Sequence, residues 1–446
     1  MAAHPTFREA FKFWLKLGLI SFGGPAGQIA IMQTELVDRK RWIGQDRFLH
    51  ALNFCMLLPG PEAQQLAIYC GWLLHRTWGG IVAGVLFVLP SALLLWGLSL
   101  VYVSYGNVAW VAAIFYGLKP AVLAIVVTAV LHIGKKALKN STMWSIAAVS
   151  FALIYVLKVP FPMIVFGALC TGLVGGRLAP GLFVLSGGGH GQAGNQGQDA
   201  RATSDERAVI DDGAEGSSVK PSWRRAMRVT AICVVLWAGP LLAVGAWQGW
   251  KSTLITEGLF FSKAAMVTFG GAYAVLPYVA QQAVANHGWL SAPQMFDGLA
   301  FAETTPGPLI MVLQFVGFMG GWNQHGSLSP LVAATVGAAI TTWVTFVPCF
   351  LWIFLGAPHI EQLRGRKLHT AALGAVTASV VGVILNLAVW FGWHVTVPLG
   401  TWASVDFFSV MVGVAAFVAL HRFKINLIAV IAACGGLGVL ASVVGV

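Results

Sequence analysis

The sequence predicts an all-α integral membrane protein: a polytopic inverted repeat whose helices are broken, some of them re-entrant, at Gly/Pro motifs. Three observations carry the prediction. Of 446 residues, 57% are hydrophobic and 10% charged, and the mean hydropathy is +0.77, whereas a soluble domain carries about 25% charged residues. The same pattern of Gly/Pro breaks occurs twice along the chain. Equivalent loops of the two copies differ in charge, as loops on opposite sides of a membrane do.

Composition excludes a single membrane anchor, because at about 20 apolar residues per span the chain can cross a bilayer roughly a dozen times. The net charge of +11 does not point to nucleic acid, since the basic residues sit in short clusters between apolar runs. Arg8, Lys12 and Lys16 run into an apolar stretch that continues through a Gly-Pro break, so no cleavable signal is expected and the N-terminus is read as cytoplasmic. Cys55, Cys70, Cys170, Cys233, Cys349 and Cys434 stand singly, with no CxxC spacing. Neither a disulfide framework nor a metal site is expected, and no cofactor.

Between residues 182 and 221 the composition turns to Gly, Gln, Asp, Ser and Glu, which cannot bury a core, and this stretch is read as a flexible cytoplasmic linker. On either side, Ser21-Phe22-Gly23-Gly24-Pro25 returns as Thr268-Phe269-Gly270-Gly271-Ala272, and Pro59-Gly60-Pro61 as Pro306-Gly307-Pro308, both displaced by 247 positions. At that displacement Phe13 matches Phe260, Lys16 matches Lys263 and Trp42 matches Trp289. The expected organisation is a first repeat over 1–181, the linker 182–221, a connecting transmembrane helix over 222–250, and a second repeat over 251–446. The loops Asp38-Arg39-Lys40-Arg41 and His75-Arg76 are basic, whereas their counterparts Asn286-His287-Gly288 and Trp322 to Ser329 carry no Lys or Arg. The second repeat is therefore expected to be inverted, which is a transporter architecture.

The stretch from Phe7 to Ser21 is about 22 Å of helix, short for a full span. A re-entrant hairpin turning at Gly23-Gly24-Pro25, and another at Pro59-Gly60-Pro61, are expected in place of kinked continuous spans. Ordinary spans should follow near 79–101, 109–131, 142–157 and 161–176, and again near 330–356, 368–391, 403–420 and 425–444.

Irregular backbone at membrane depth is tolerated only inside protein or beside a polar cavity. Helices starting after Gly-Gly or Pro-Gly-Pro point free N–H groups and a positive dipole end into that cavity, which suits an anion. Gly23, Gly24, Pro25, Gly60, Gly270, Gly271 and Gly307 are the expected backbone of the site. Gln28, Gln64 and Gln65 supply polar side chains, the latter two as donors to an oxyanion. Lys16 and Lys263 are expected to face the cavity and compensate a doubly charged anion. Glu62, directly after its break, and Glu303, three residues before Pro306, are candidates for proton coupling. His50, matched by Asp297 in the second half, is expected near an interface and solvated.

At these residues the sequence resembles the long-chain, two-domain members of the chromate ion transporter family. The resemblance rests on Phe22-Gly23-Gly24-Pro25-Ala26-Gly27-Gln28-Ile29, on Leu57-Leu58-Pro59-Gly60-Pro61-Glu62-Ala63-Gln64-Gln65, and on Thr268-Phe269-Gly270-Gly271 with Thr304-Thr305-Pro306-Gly307-Pro308. It implies efflux of the chromate dianion from the bacterial cytoplasm, across the inner membrane, driven by the proton motive force and conferring chromate resistance. The expected partners are a chromate- or sulfate-like oxyanion, protons and the lipid bilayer, with no nucleic acid; a homodimer is left open. A sulfate or other oxyanion transporter and an anion channel are the alternatives. No HExxH, nucleophile elbow or Asp-rich phosphate motif supports an enzyme.

Overall fold

The computed structural model describes residues 4–21, 24–56, 58–106, 108–183, 209, 222–269, 271–357, 367–398, 401 and 404–444. All the regular elements among them are helical. Helix α1 (Phe7–Ile20) opens with a capping box from Thr6 and Glu9, and α2 (Gly24–Gln33) runs into a π-helical turn, Thr34–Arg39. Then come α3 (Gln45–Cys55), α4 (Glu62–Tyr105), α5 (Ala109–Ala137), α6 (Ser141–Tyr155), α7 (Phe161–Leu178), the short α8 (Pro180–Phe183) and α9 (Trp223–Gln248). The second series is α10 (Thr253–Val267), α11 (Ala272–Ala280) with a π-helical turn Gln281–Asn286, α12 (Ala292–Thr304), α13 (Val312–Asn323), α14 (Pro330–Gly356), α15 (Lys367–Thr396), α16 (Phe407–His421) and α17 (Leu427–Val444). Seven helices among the described residues are long and apolar enough to cross a membrane. The protein is an all-α, multi-pass membrane protein.

The repeat is legible in backbone detail. The two π-helical turns lie 247 positions apart, as do the left-handed pairs Gly24 with Gly271 and Gly60 with Gly307. After the helical arms that follow the Pro-Gly-Pro breaks, the displacement grows to 258, which pairs Pro90 inside α4 with Pro348 inside α14. In α6 and α16 it is 266, where Asn140 and Asp406 each cap their helix by accepting from the third residue's N–H. The insertions fall in loops.

Each broken helix pair is a hairpin that opens on one side. In the first half, Trp42, which follows the π-helical turn, lies against Phe13 of α1 with ring centroids 5.4 Å apart. Helix α4 breaks at His75 and Arg76, which leave helical geometry, and His75 reaches the carbonyl of Pro5, just before α1, at 3.0 Å. In the second half, Gln324 after α13 donates to the carbonyl of His287 at 2.9 Å and accepts from Thr253 of α10 at 3.2 Å. Trp289 sits against Phe260 at 5.5 Å, as Trp42 does against Phe13. The bases of both hairpins in each half therefore lie together.

The halves meet through antiparallel spans. Gly80 and Gly84 in the far arm of α4 pack against Phe354 and Phe350 of α14, and Trp96 donates to Thr335 at 3.2 Å. From Gly79 to Tyr102 this arm rises about 35 Å, and Tyr102 ends beside Asp297 near the start of α12. The arm thus starts at the hairpin bases of the first half and finishes near those of the second. Outside this core, α5 packs against α16 and α17, and α15 against α6 and α7, so each half's outer helices clasp the other half. Close backbone approach permits the clasp: Gly172 lies on Ala371 and Ala375, and its counterpart Gly438 on Ala113 and Gly117.

The packed fold extends into the stretch expected to be linker: Asn140 donates to the carbonyl of Leu182 at 2.7 Å, and Phe183 is buried against Gly175. Val209 is half-buried and donates to the carbonyl of Arg41 at 3.1 Å; 184–208 and 210–221 lie outside the described residues. Asp297, the counterpart of His50, is buried, and the Tyr102 hydroxyl from the other half donates to it at 2.8 Å.

Leucine at Gly172 or Gly438 should separate the outer helices and lower the melting temperature of the detergent-purified protein, at a cost of about 1–3 kcal/mol. Gly97, where an added Cβ meets nothing, should accept leucine without a shift.

Candidate oxyanion site at the hairpin tips

The four breaks come together. The Gly60 N–H donates to the Thr268 carbonyl at 2.8 Å, and the Gly307 N–H to the Ser21 carbonyl at 2.7 Å. These bonds join matched positions, so the tips of one half complete the tips of the other, as partners across a twofold axis do. The flanking hydroxyls repeat the relation: Ser21 donates to the carbonyl of Leu17 and Thr268 to that of Ala264, both at 2.6 Å. Gly60 (φ 116°) and Gly307 (φ 115°) hold backbone open only to glycine. Each also lies under the kinked span of the opposite half, where a Cβ at Gly60 would meet Cys349 and one at Gly307 would meet Ser91.

Four helices, α2, α4, α11 and α13 with its leading 3₁₀ turn, start immediately after these breaks. Their first N–H groups lack intrahelical partners and carry the positive dipole ends. Gly24 (φ 69°) and Gly271 (φ 93°) stand at two of these starts, and Pro25 is half-buried beside Gly24. Gly23 and Gly270 lie outside the described residues. Gln28 is buried and donates to the Ser21 carbonyl at 3.4 Å. Gln65 donates to the Pro59 carbonyl at 2.8 Å, and Gln64 to Gly84 of the far arm at 3.4 Å. The side-chain carbonyls of all three have no partner in a buried setting; the amides of Gln28 and Gln64 each retain a second N–H, whereas that of Gln65 also donates to the Cys349 Sγ at 3.8 Å.

Both candidate carboxylates flank the start of α11. The Tyr273 hydroxyl donates to Glu303 at 2.7 Å, and a Cβ at Gly271 would stand 3.9 Å from a Glu62 oxygen. Their counterparts in the repeat are apolar: Leu309 for Glu62, Met56 for Glu303 and Ala26 for Tyr273. Three residues went unread in the sequence. Gln314 is buried and donates to the Ala92 carbonyl at 2.7 Å; Ser91 is buried with a hydroxyl lacking any partner; Tyr273 holds Glu303. The signal available for Gln314 was a polar residue in an apolar helix, two turns after Pro306.

Lys16 and Lys263 are not part of this cluster. Phe13, Trp14 and Leu17 form the packed face of α1, whereas Lys16 is exposed on the other face beside Leu15 and Leu19. Lys263 is likewise exposed, on the side of α10 that carries Leu259. A long ammonium side chain keeps its head in water while its stem covers apolar surface. No group of three or more metal-binding side chains occurs among the described residues.

The family model described as Chromate transporter matches residues 8–173 and 256–439, taking in both hairpin pairs and the outer helices. The chain belongs to the chromate transporter family. It is 32% identical over 441 residues to the chromate transport protein of Pseudomonas aeruginosa, covering 96% of this chain and 91% of the other. It is 29% identical over 390 residues to that of Cupriavidus metallidurans, covering 86% and 82%. Similarity to a probable chromate transport protein of Synechococcus elongatus is 27% over 397 residues, covering 87% and 86%. No solved structure matches the chain. For a chromate transporter, the site required is one for a tetrahedral oxyanion, and helix starts with glycine backbone present such donors.

Alanine at Gly307 should reduce transport strongly while insertion persists, since the left-handed backbone alone costs a β-carbon residue about 1–3 kcal/mol. Adding Ser91→Gly relieves the side-chain overlap but not the strain, so flux in vesicles should recover only in part.

Proposed function

We propose that this chromate transporter exports the chromate dianion from the bacterial cytoplasm in exchange for protons, as a secondary transporter and not an enzyme. The junction of four helix starts carries this reading, because first-turn N–H groups without intrahelical partners are donors an oxyanion can use. Two repeats bounded near 1–181 and 251–446, the linker 182–221 and the connecting helix 222–250 make the alternating unit. The repeats are inverted in the inner membrane, with the N-terminus and the basic hairpin bases of the first half in the cytoplasm. The backbone around Gly23, Gly24, Pro25, Gly60, Gly270, Gly271 and Gly307, with Gln28, Gln64 and Gln65, binds the anion. Outward movement of a dianion through an inside-negative potential gains about 4.6 kcal/mol per 100 mV, twice the value for one charge.

In this reading Glu62 and Glu303 exchange the coupled proton. An ionised carboxylate beside a bound dianion is costly in low dielectric, so the charge state of these carboxylates and anion occupancy are energetically linked. Tyr273 keeps Glu303 oriented toward α11. Lys16 and Lys263, being exposed, draw the oxyanion toward the two mouths and act on its capture.

Purified protein in sealed vesicles tests the proposal: saturable chromate flux that follows an imposed pH gradient and is inhibited by sulfate is expected, whereas unsaturable flux would indicate a channel. Methionine at Lys16 or Lys263 should weaken flux mainly at low chromate and low salt; unchanged rates there would remove the lysines from the pathway. Glu303→Gln should bind chromate at least as well as the unmodified protein yet lose its response to the gradient. A cysteine at Lys40 should label from the cytoplasm and one at His287 from outside; labelling from one side would refute the inversion.

A further inference from the structure

Glu257, in the second turn of α10, has no part in the tip junction. Its side chain is fully buried, at 0% exposure, and neither carboxyl oxygen has a hydrogen-bond partner. It lies where α10 packs against α13 and α14. A Cβ at Gly320 would collide with one carboxyl oxygen, and a Cβ at Gly337 would stand 2.9 Å from the other. Trp289 closes the same space beside Gly320, and the buried hydroxyl of Thr341, one turn along α14 from Gly337, is also unpartnered.

The internal repeat makes this arrangement informative. The matched position in the first half is Ala10, and the position matching Gly320 is Leu73. Both are buried. Where the first half packs a small residue against a large one, the second packs a large acid against glycine. The two exchanges compensate in volume, so the space for the carboxyl is built into the packing.

No ionisable partner is supplied by the neighbouring elements. Helix α13 has none, and in α14 the one such residue is Cys349, about three turns beyond Gly337. Helix α9 meets α10 through Leu241 against Gly258 and Trp237 against Ser262, and its Arg224, Arg225, Arg228 and Cys233 all precede those contacts. In α11 the ionisable residues are Tyr273, held by Glu303, and Tyr278, which packs on Phe260. Lys263 on α10 is exposed. His287 stacks on Trp289 at 4.4 Å, and burial lowers its pKa below the usual value, so it is neutral at pH 7. A carboxylate without a partner in such a place is very costly, whereas the neutral acid is tolerated. A metal cation would need several oxygen ligands and the volume to hold them, and the glycine contacts leave none; a proton needs no space.

We propose that Glu257 is a proton-carrying residue of the transport cycle, holding its proton while α10 is closed against α13 and α14 and releasing it when they part. It lies near the hairpin bases of the second half, about 16 Å of helix from Thr268 at the tips, and provides a second proton position between the tip carboxylates and that surface. The assignment rests on the proton-coupled reading above.

The test uses Glu257→Gln and Glu257→Ala, the second restoring the residue that the first half tolerates at this position. Full-length protein in vesicles is measured for chromate counterflow without a gradient, for chromate flux under imposed pH or sodium gradients, and by infrared difference spectroscopy for a protonated-carboxyl band. Expected are a band present in the unmodified protein and absent from both variants, counterflow retained in both, and loss of stimulation by the pH gradient. A pH response equal to that of unmodified protein would overturn the proposal, as would absence of the band. Loss of counterflow together with driven flux in both variants would make Glu257 structural, and stimulation by sodium in place of protons would refute the proton. If the unmodified protein shows counterflow but no pH response, the proton-coupled reading itself fails; a pH response that survives in both variants removes Glu257 alone.

Discussion

A backbone amide in hydrocarbon must find a partner inside the protein, and in this chain that requirement is met by exchange. The amides freed at Gly60 and Gly307 are satisfied by carbonyls that the opposite half frees at Thr268 and Ser21. Neither half could place its break at membrane depth alone without leaving these groups orphaned. The breaks that expose the helix starts of the candidate site therefore also carry bonds that hold the two halves in register. Candidate site and interface are one structure.

The backbone follows the repeat closely, whereas the chemistry departs from it. Left-handed glycines, π-helical turns and kinked prolines recur in pairs, but Gln64 and Gln65 face Met311 and Val312 across the repeat, and Gln314 faces Ala67. Glu62, Glu303, Tyr273 and Glu257 likewise have apolar counterparts. The backbone around the tips thus repeats, while the side chains set on it differ between the halves.

The all-α membrane class, the repeat and the positions of the breaks were legible because each leaves a local mark: apolar runs, a fixed displacement, glycine beside proline. The pairing of Gly60 with Thr268 was not, since it joins positions more than 200 residues apart through backbone atoms that carry no sequence signal. The lysines misled for a related reason. Their match across the repeat marked a shared position, but which face of a helix points inward depends on neighbours such as Pro90 and Leu86, against which Gly18 packs. The burial of Asp297 was likewise not legible, because its partner, Tyr102, comes from the other half.

The packing also separates what can move from what cannot. At the periphery, Gly172 on Ala371 and Gly438 on Gly117 bring helix backbones into direct contact, and such close-packed contacts resist gradual deformation. The hairpins are different. Their tips are joined by a few hydrogen bonds across irregular backbone, and their returning arms carry π-helical turns just before the bases, where an extra residue in the turn can be absorbed or released. A hairpin pair can thus shift against a clasped frame without breaking either its own helices or the outer contacts. The far arm of α4 and α14 run antiparallel past both sets of tips, and Pro90 and Pro348 inside them lie where the two halves meet. Beside these prolines, Ser91 lies over Gly307 and Cys349 over Gly60, so the packing between the halves bears on the same glycines that the candidate site uses.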